Sequence, residues 1–156
     1  MDIFDGIDKL PHFNPDVDKG EAAPAVVRGL RDQIRAADGV LICTTEYVFS
    51  LPGSLKNALE WTVSTTVFSN KPVALIVAAA SGEKALESLE LIMTTIEARL
   101  ASGSKLLIKG AKGKIGANGE IRDQATAEQI KAVVAALLIS METENQRPTK
   151  YSGTGA

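Results

Sequence analysis

The sequence predicts an open α/β layer fold: a parallel sheet with helices on both faces. Three observations predict it. The runs GVLICTT (39–45) and KPVALIVAAA (71–80) are apolar without alternation, as strands buried on both faces are. Stretches with apolar residues at helical spacing alternate with these runs. The chain has 156 residues, 45% of them hydrophobic, which suits one domain with one core.

Taken in order, MDIFD (1–5) reads as the end of a strand, and residues 6–24 as a loop rich in Gly and Pro. A helix is expected over 24–37, with Val26, Val27, Leu30 and Ile34 on one stripe and Pro24 in its first turn, where a missing N–H does no harm. GVLICTT is the first complete strand; Cys43 within it is expected as a small buried thiol. Residues 52–63 form the next helix, with Leu55, Ala58, Leu59 and Thr62 on one side. KPVALIVAAA follows as a strand. Ser81 is placed to cap a long helix over 83–100, whose Leu86, Leu89, Ile92, Met93 and Ile96 keep helical spacing. SKLLIKG (104–110) is a third strand, next to KPVALIVAAA in the sheet. An irregular loop with Gly110, Gly113, Gly116 and Gly119 leads to a last helix over 125–140, with Ile130, Val133, Val134, Leu137 and Leu138 facing in. Residues 1–142 make the domain and 143–156 a disordered tail.

Several function classes are excluded. A net charge of −2 and 4% aromatic residues argue against nucleic acid, which calls for a basic surface or stacking platforms. One cysteine allows no intrachain disulfide and no cysteine-based zinc site. One histidine, His12 on a solvated loop, allows no His-pair metal motif. No window reaches the ~18 apolar residues of a membrane span, and no basic-then-apolar signal opens the chain; the expected location is cytoplasmic. Lys105, Lys109, Lys112 and Lys114 are clustered in sequence, but GAKGKIG lacks the Walker spacing and reads as a solvated turn.

Open parallel sheets bind ligands at the carboxyl ends of their strands. TTEYVFS (44–50) and ASGEK (80–84) lie at such ends. The first continues as TTEYVFSLPGSLKNALEW (44–61). That stretch resembles the S/T-P-E-Y-N-x-S-x-P-G-x-L-K-N-A-x-D-W signature of the NAD(P)H-dependent FMN reductase family, which includes chromate, quinone and azo-dye reductases. Glu46, Tyr47, Ser50, Pro52, Gly53, Leu55, Lys56, Asn57, Ala58 and Trp61 agree with it, and Glu60 replaces Asp. LPHFNPD (10–16), KPVALIVAAASG (71–82) and NGEIRDQATAEQI (118–130) extend the resemblance over the chain up to the tail.

The resemblance implies a flavodoxin-like fold, FMN as cofactor and NAD(P)H as cosubstrate. It implies electron transfer from reduced nicotinamide through FMN to a quinone, azo or similar small-molecule acceptor, with no side-chain acid–base dyad. It implies a homodimer or homotetramer. Carried over residue by residue, the flavin contacts fall on Thr45, Glu46, Tyr47, Val48 and Ser81. Lys56 and Asn57 are expected to fix the loop or face a subunit neighbour, and Trp61 to be core or interface.

Two departures bear on this. Val48 stands where the signature has Asn, so any amide contact is lost. The family's opening strand and its phosphate loop, of the type Gly-Ser-x-x-x-x-Ser-x-Asn, have no counterpart in the sequence. The expectation is therefore an N-terminally truncated flavodoxin-like sheet with an unpaired apolar edge at GVLICTT and weak hold on the FMN phosphate. A truncated or degenerate non-catalytic binding module is the alternative reading. A flavodoxin-type electron carrier without nicotinamide activity is a third.

Overall fold

The computed structural model describes residues 1–19 and 22–145; the expected tail falls mostly on 146–156, outside the described residues. A 3₁₀ turn, Ile7–Lys9, is followed by α1 (Ala25–Ala36), β1 (Val40–Thr44), α2 (Gly53–Glu60), β2 (Pro72–Ala79), α3 (Glu83–Thr95), β3 (Arg99–Lys109), the single turn α4 (Ala111–Lys114) and α5 (Gln124–Asn145). The three strands form one sheet in the order β1-β2-β3. All pairing is parallel, with Val40 opposite Val73 and Ile76 opposite Leu106. The expected α/β architecture and strand order are both present.

The period of two along β2 assigns its side chains to two cores. Val73, Leu75, Val77 and Ala79 face α1, α2 and α3, whose Val27, Leu30, Ala58, Leu59, Leu89 and Met93 bury against them. Ala74 and Ile76 face the other way, onto Val133 and Leu137 of α5. Both faces of the sheet therefore carry helices, and all three strands run toward the same end.

Several boundaries differ from the sequence reading. Residues 1–5 form no strand, since β1 pairs only with β2 among the described residues and an isolated strand has nothing to bond. The helix expected to reach residue 100 stops at Thr95. Glu97 turns the chain in the left-handed region (φ 63°), and Arg99 and Leu100 already pair with Pro72 and Val73. The ladder then slips before Lys105 resumes it opposite Leu75. The helix α5 runs to Asn145, three residues past the expected end of the domain at 142.

Two burial expectations are corrected. Cys43 is exposed, not buried: it lies on the α5 face, where α5 covers mainly β2 and β3 and reaches β1 at Leu41 but leaves Cys43 uncovered. Leu138 is 51% exposed, because Val133 and Leu137 already define the inward stripe of α5 and Leu138 is turned away from it.

One buried polar node ties the long loop to the helices. Arg31 of α1 is 4% exposed. Its Nε and Nη2 donate to the Trp61 carbonyl at 2.8 and 2.5 Å, and its Nη2 also donates to Asp18 Oδ1 at 2.5 Å and to Ser64 Oγ at 3.2 Å. Burial raises the Asp18 pKa, but hydrogen bonds from Arg31 and Ser64 and the Arg31 charge outweigh that and hold the carboxyl below its ordinary 3.8.

A depressed folded-state pKa contributes stability above the unfolded value and loses it as pH falls through the folded one. Unfolding free energy is expected to decline as pH drops below about 4. Asp18→Ala is expected to cost roughly 3–5 kcal/mol at pH 7, by leaving a buried guanidinium uncompensated, and to lack that acid-dependent loss. Urea denaturation of both proteins from pH 3 to 7 checks this.

Candidate functional site

The carboxyl ends of the three parallel strands deliver three loops to one edge of the domain. After β1 the chain makes a tight hairpin. Tyr47 N–H donates to the Ser50 carbonyl at 3.0 Å and Ser50 N–H to the Tyr47 carbonyl at 2.9 Å. The intervening Val48 and Phe49 have φ of 50° and 56°, the pair of left-handed residues that a type I′ turn requires. Tyr47, Val48 and Phe49 are 65%, 94% and 77% exposed, so the turn lifts one aromatic–apolar surface clear of the protein.

Glu46 precedes that turn, and its carboxylate reaches the next loop. Oε1 accepts from Gly82 N–H at 3.2 Å, and Oε2 accepts from Lys84 and Ala85 N–H, each at 3.1 Å. Helix α3 is therefore capped from 36 to 39 residues away. The expected cap, Ser81, is exposed and makes no side-chain cap bond. The N-cap position is Gly82 at φ 97°. A Cβ there would lie 2.6 Å from Leu107 Cδ1 and 3.1 Å from Val77 Cγ1, so glycine is needed for both conformation and space.

The signature's helical half grips the loop at 10–13. Trp61 is fully buried; its Nε1 donates to the Pro11 carbonyl at 2.8 Å and its ring meets Phe13 edge-on at 5.1 Å. Asn57 Nδ2 donates to the same carbonyl at 2.9 Å, and its Oδ1 accepts Phe13 N–H at 2.7 Å. Asn57 thus fixes a loop and Trp61 is core. Lys56 pairs with Glu60 one turn along the helix at 2.6 Å.

The structure thus brings Thr45, Glu46, Tyr47 and Val48 alongside Ser81, joined through Glu46. Sequence reasoning does not find the carboxylate's reach; the only trace of it is an acidic residue leaving an apolar strand. Among the described residues no group of three His, Cys, Asp or Glu side chains could hold a metal. The surrounding protein pushes the Cys43 thiol pKa up from its ordinary value.

A β-branched residue at φ 50° is strained, by roughly 1–2 kcal/mol relative to a residue at ease in that region. Val48→Asn is expected to raise unfolding free energy by about 1 kcal/mol, since Asn tolerates the left-handed region. Val48 has almost no packing to lose. Thermal and urea denaturation check it, and a destabilised variant contradicts the turn geometry.

Residues 1–113 match the family model described as NADPH-dependent FMN reductase. The quinone reductase of Escherichia coli K12 is 31% identical over 142 residues, spanning 87% of this chain and 76% of that protein. The 2-hydroxy-1,4-benzoquinone reductase of a Burkholderia species is 35% identical over 136 residues, covering 82% and 73%. Among solved structures, FerB from Paracoccus denitrificans, a flavoenzyme NAD(P)H:(acceptor) oxidoreductase, superposes with a TM-score of 0.67 at 26% identity, covering 88% of this chain and 78% of that one. With its parallel sheet and the loops at its carboxyl ends, the chain belongs to the NADPH-dependent FMN reductase family and is an oxidoreductase working with FMN and reduced nicotinamide.

Proposed function

We propose that Thr45, Glu46, Tyr47, Val48 and Ser81 form the flavin-facing edge of this reductase, which passes electrons from reduced nicotinamide to a quinone or azo compound. The observation that carries the assignment is the exposed surface of Tyr47, Val48 and Phe49, held beside the Ser81 loop by Glu46. That surface fits the face of a planar ring system. The α3 N-terminus does not fit the phosphate, because the Glu46 carboxylate already occupies it.

Bound FMN supplies the redox chemistry, and the chain supplies position and surroundings. Tyr47 and Phe49 exclude water from one side of the ring. The Ser81 hydroxyl, unused as a cap, and Thr45 orient the polar edge. Glu46 contributes its backbone, its carboxylate being engaged. No side-chain proton relay is required.

The acceptor class is supported by relatives named quinone reductase and NADPH azoreductase. Consumption of reduced nicotinamide suits the cytoplasm. A homodimer or homotetramer is supported by an apolar groove between α2 and α3, lined by Leu59, Val63, Leu91 and Ile96.

Tyr47→Ala is expected to weaken FMN roughly three- to tenfold, the scale of one lost aromatic contact, with little change in unfolding midpoint because the ring is solvent-exposed. Fluorescence titration reads it, and unchanged affinity removes the hairpin from the site. Sedimentation at micromolar concentration is expected to show a dimer or tetramer; monomer alone contradicts the assembly.

A further inference from the structure

We propose that Glu46 is a positioning residue: an internal anion held by helix α3, whose carboxylate sets the distance between the two loops that face the flavin. The inference rests on the flavin assignment above but makes a separate claim about how the site is built. The first turn of a helix presents N–H groups without intrahelical partners and the positive end of the macrodipole. Such an end, at the carboxyl edge of a parallel sheet, ordinarily receives a ligand's anion. Here it receives Glu46, through Gly82, Lys84 and Ala85 at 3.1–3.2 Å. The helix contributes no side-chain cap of its own, so the chain closes this end with a residue from another loop.

The consequence falls on the neighbours. Tyr47 follows Glu46 directly, and the hairpin it opens carries two left-handed non-glycine residues, Val48 and Phe49. Val48 at its tip is 94% exposed, and the chain returning from it is next buried at Leu51, 6% exposed. Tethering the carboxylate to the Gly82 loop is what fixes the backbone from which Tyr47 projects. Charge alone does not account for the arrangement: the adjacent Lys84 Nζ is paired with Glu87 at 2.7 Å, and Glu46 bonds to backbone amides. A carboxylate of the right reach is the requirement.

Amide hydrogen exchange on the flavin-free protein and FMN titration test this together, in wild type, Glu46→Ala and Glu46→Asp. In both variants the Gly82, Lys84 and Ala85 amides are expected to exchange at least tenfold faster and the FMN dissociation constant to rise at least tenfold. Asp keeps the charge but is one methylene short. Added formate, filling the vacated end of α3, is expected to restore protection in Glu46→Ala. Unchanged amide exchange, wild-type FMN affinity with unprotected amides, wild-type behaviour of Glu46→Asp, or failure of formate to protect the amides would overturn the proposal. Should Glu46→Ala not fold, Glu46→Gln carries the same amide and FMN readouts, with one carbonyl oxygen left to accept. Where the wild-type chain takes up no FMN, as weak hold on the phosphate allows, amide exchange and its rescue by formate decide whether Glu46 ties the two loops together.

Discussion

Burying β2 is the constraint on which the rest of the structure depends. Its Val73, Ala74, Leu75 and Val77 are at most 1% exposed, so neither face and neither edge of the strand can meet water. Every backbone N–H and C=O along it must find a strand partner, and β1 and β3 supply them from either side. Parallel partners cannot be reached by a tight turn; each needs a crossover, and the crossovers are the helices that cover the faces. Strand pairing, helix placement and the gathering of loops at one end are thus consequences of one apolar run.

That arrangement creates an electrostatic problem at the carboxyl edge. The crossover helices α2 and α3 begin there, each with unsatisfied donors. The two are treated differently. Helix α2 starts at Pro52-Gly53, with Pro in the N-cap position and no side-chain cap. Helix α3 receives a carboxylate from across the edge. The Arg31 node solves the opposite problem deeper in the fold. A cation buried under the loop is surrounded by the Trp61 carbonyl, Asp18 and Ser64, so the chain from 10 to 19 lies down on α1 and the end of α2. Both solutions are long-range and polar, and both fix loops rather than the sheet.

This distinction separates what is legible in the sequence from what is not. Strands β1 and β2 declare themselves because a short, unbroken apolar run between turn residues fits a strand covered on both faces, and their order follows from alternation with helices. Periodicity misplaces Leu138 because it gives a stripe but not its width: α5 packs mainly on β2 and β3, and Leu138 on its margin faces solvent. Cys43 escapes the same logic because a strand apolar throughout is buried on both faces only where both are covered. The end of α3 is hidden because Ile96, Ala98 and Leu100 continue an apolar pattern, while the backbone turns at Glu97, a residue with no local signature for φ 63°. The Glu46 cap and the Asp18–Arg31 pair are invisible for a simpler reason: their partners lie 36 and 13 residues away or more, and no spacing rule reaches that far. Ser81 is the nearest plausible cap, and proximity in sequence is the wrong measure.

The stretch TTEYVFSLPGSLKNALEW divides by what each residue does. Leu51, Ala58, Leu59 and Trp61 are core. Asn57 and the Trp61 indole hold the Pro11 carbonyl, and Glu46 holds α3. Lys56 and Glu60 satisfy each other on the surface. Most of the stretch is therefore committed to building the edge of the sheet, and the large side chains left facing outward are the consecutive Tyr47, Val48 and Phe49. The Val48 turn places a strained β-branched residue where the family's signature has Asn, two residues from Glu46, whose carboxylate joins the hairpin to the neighbouring loop.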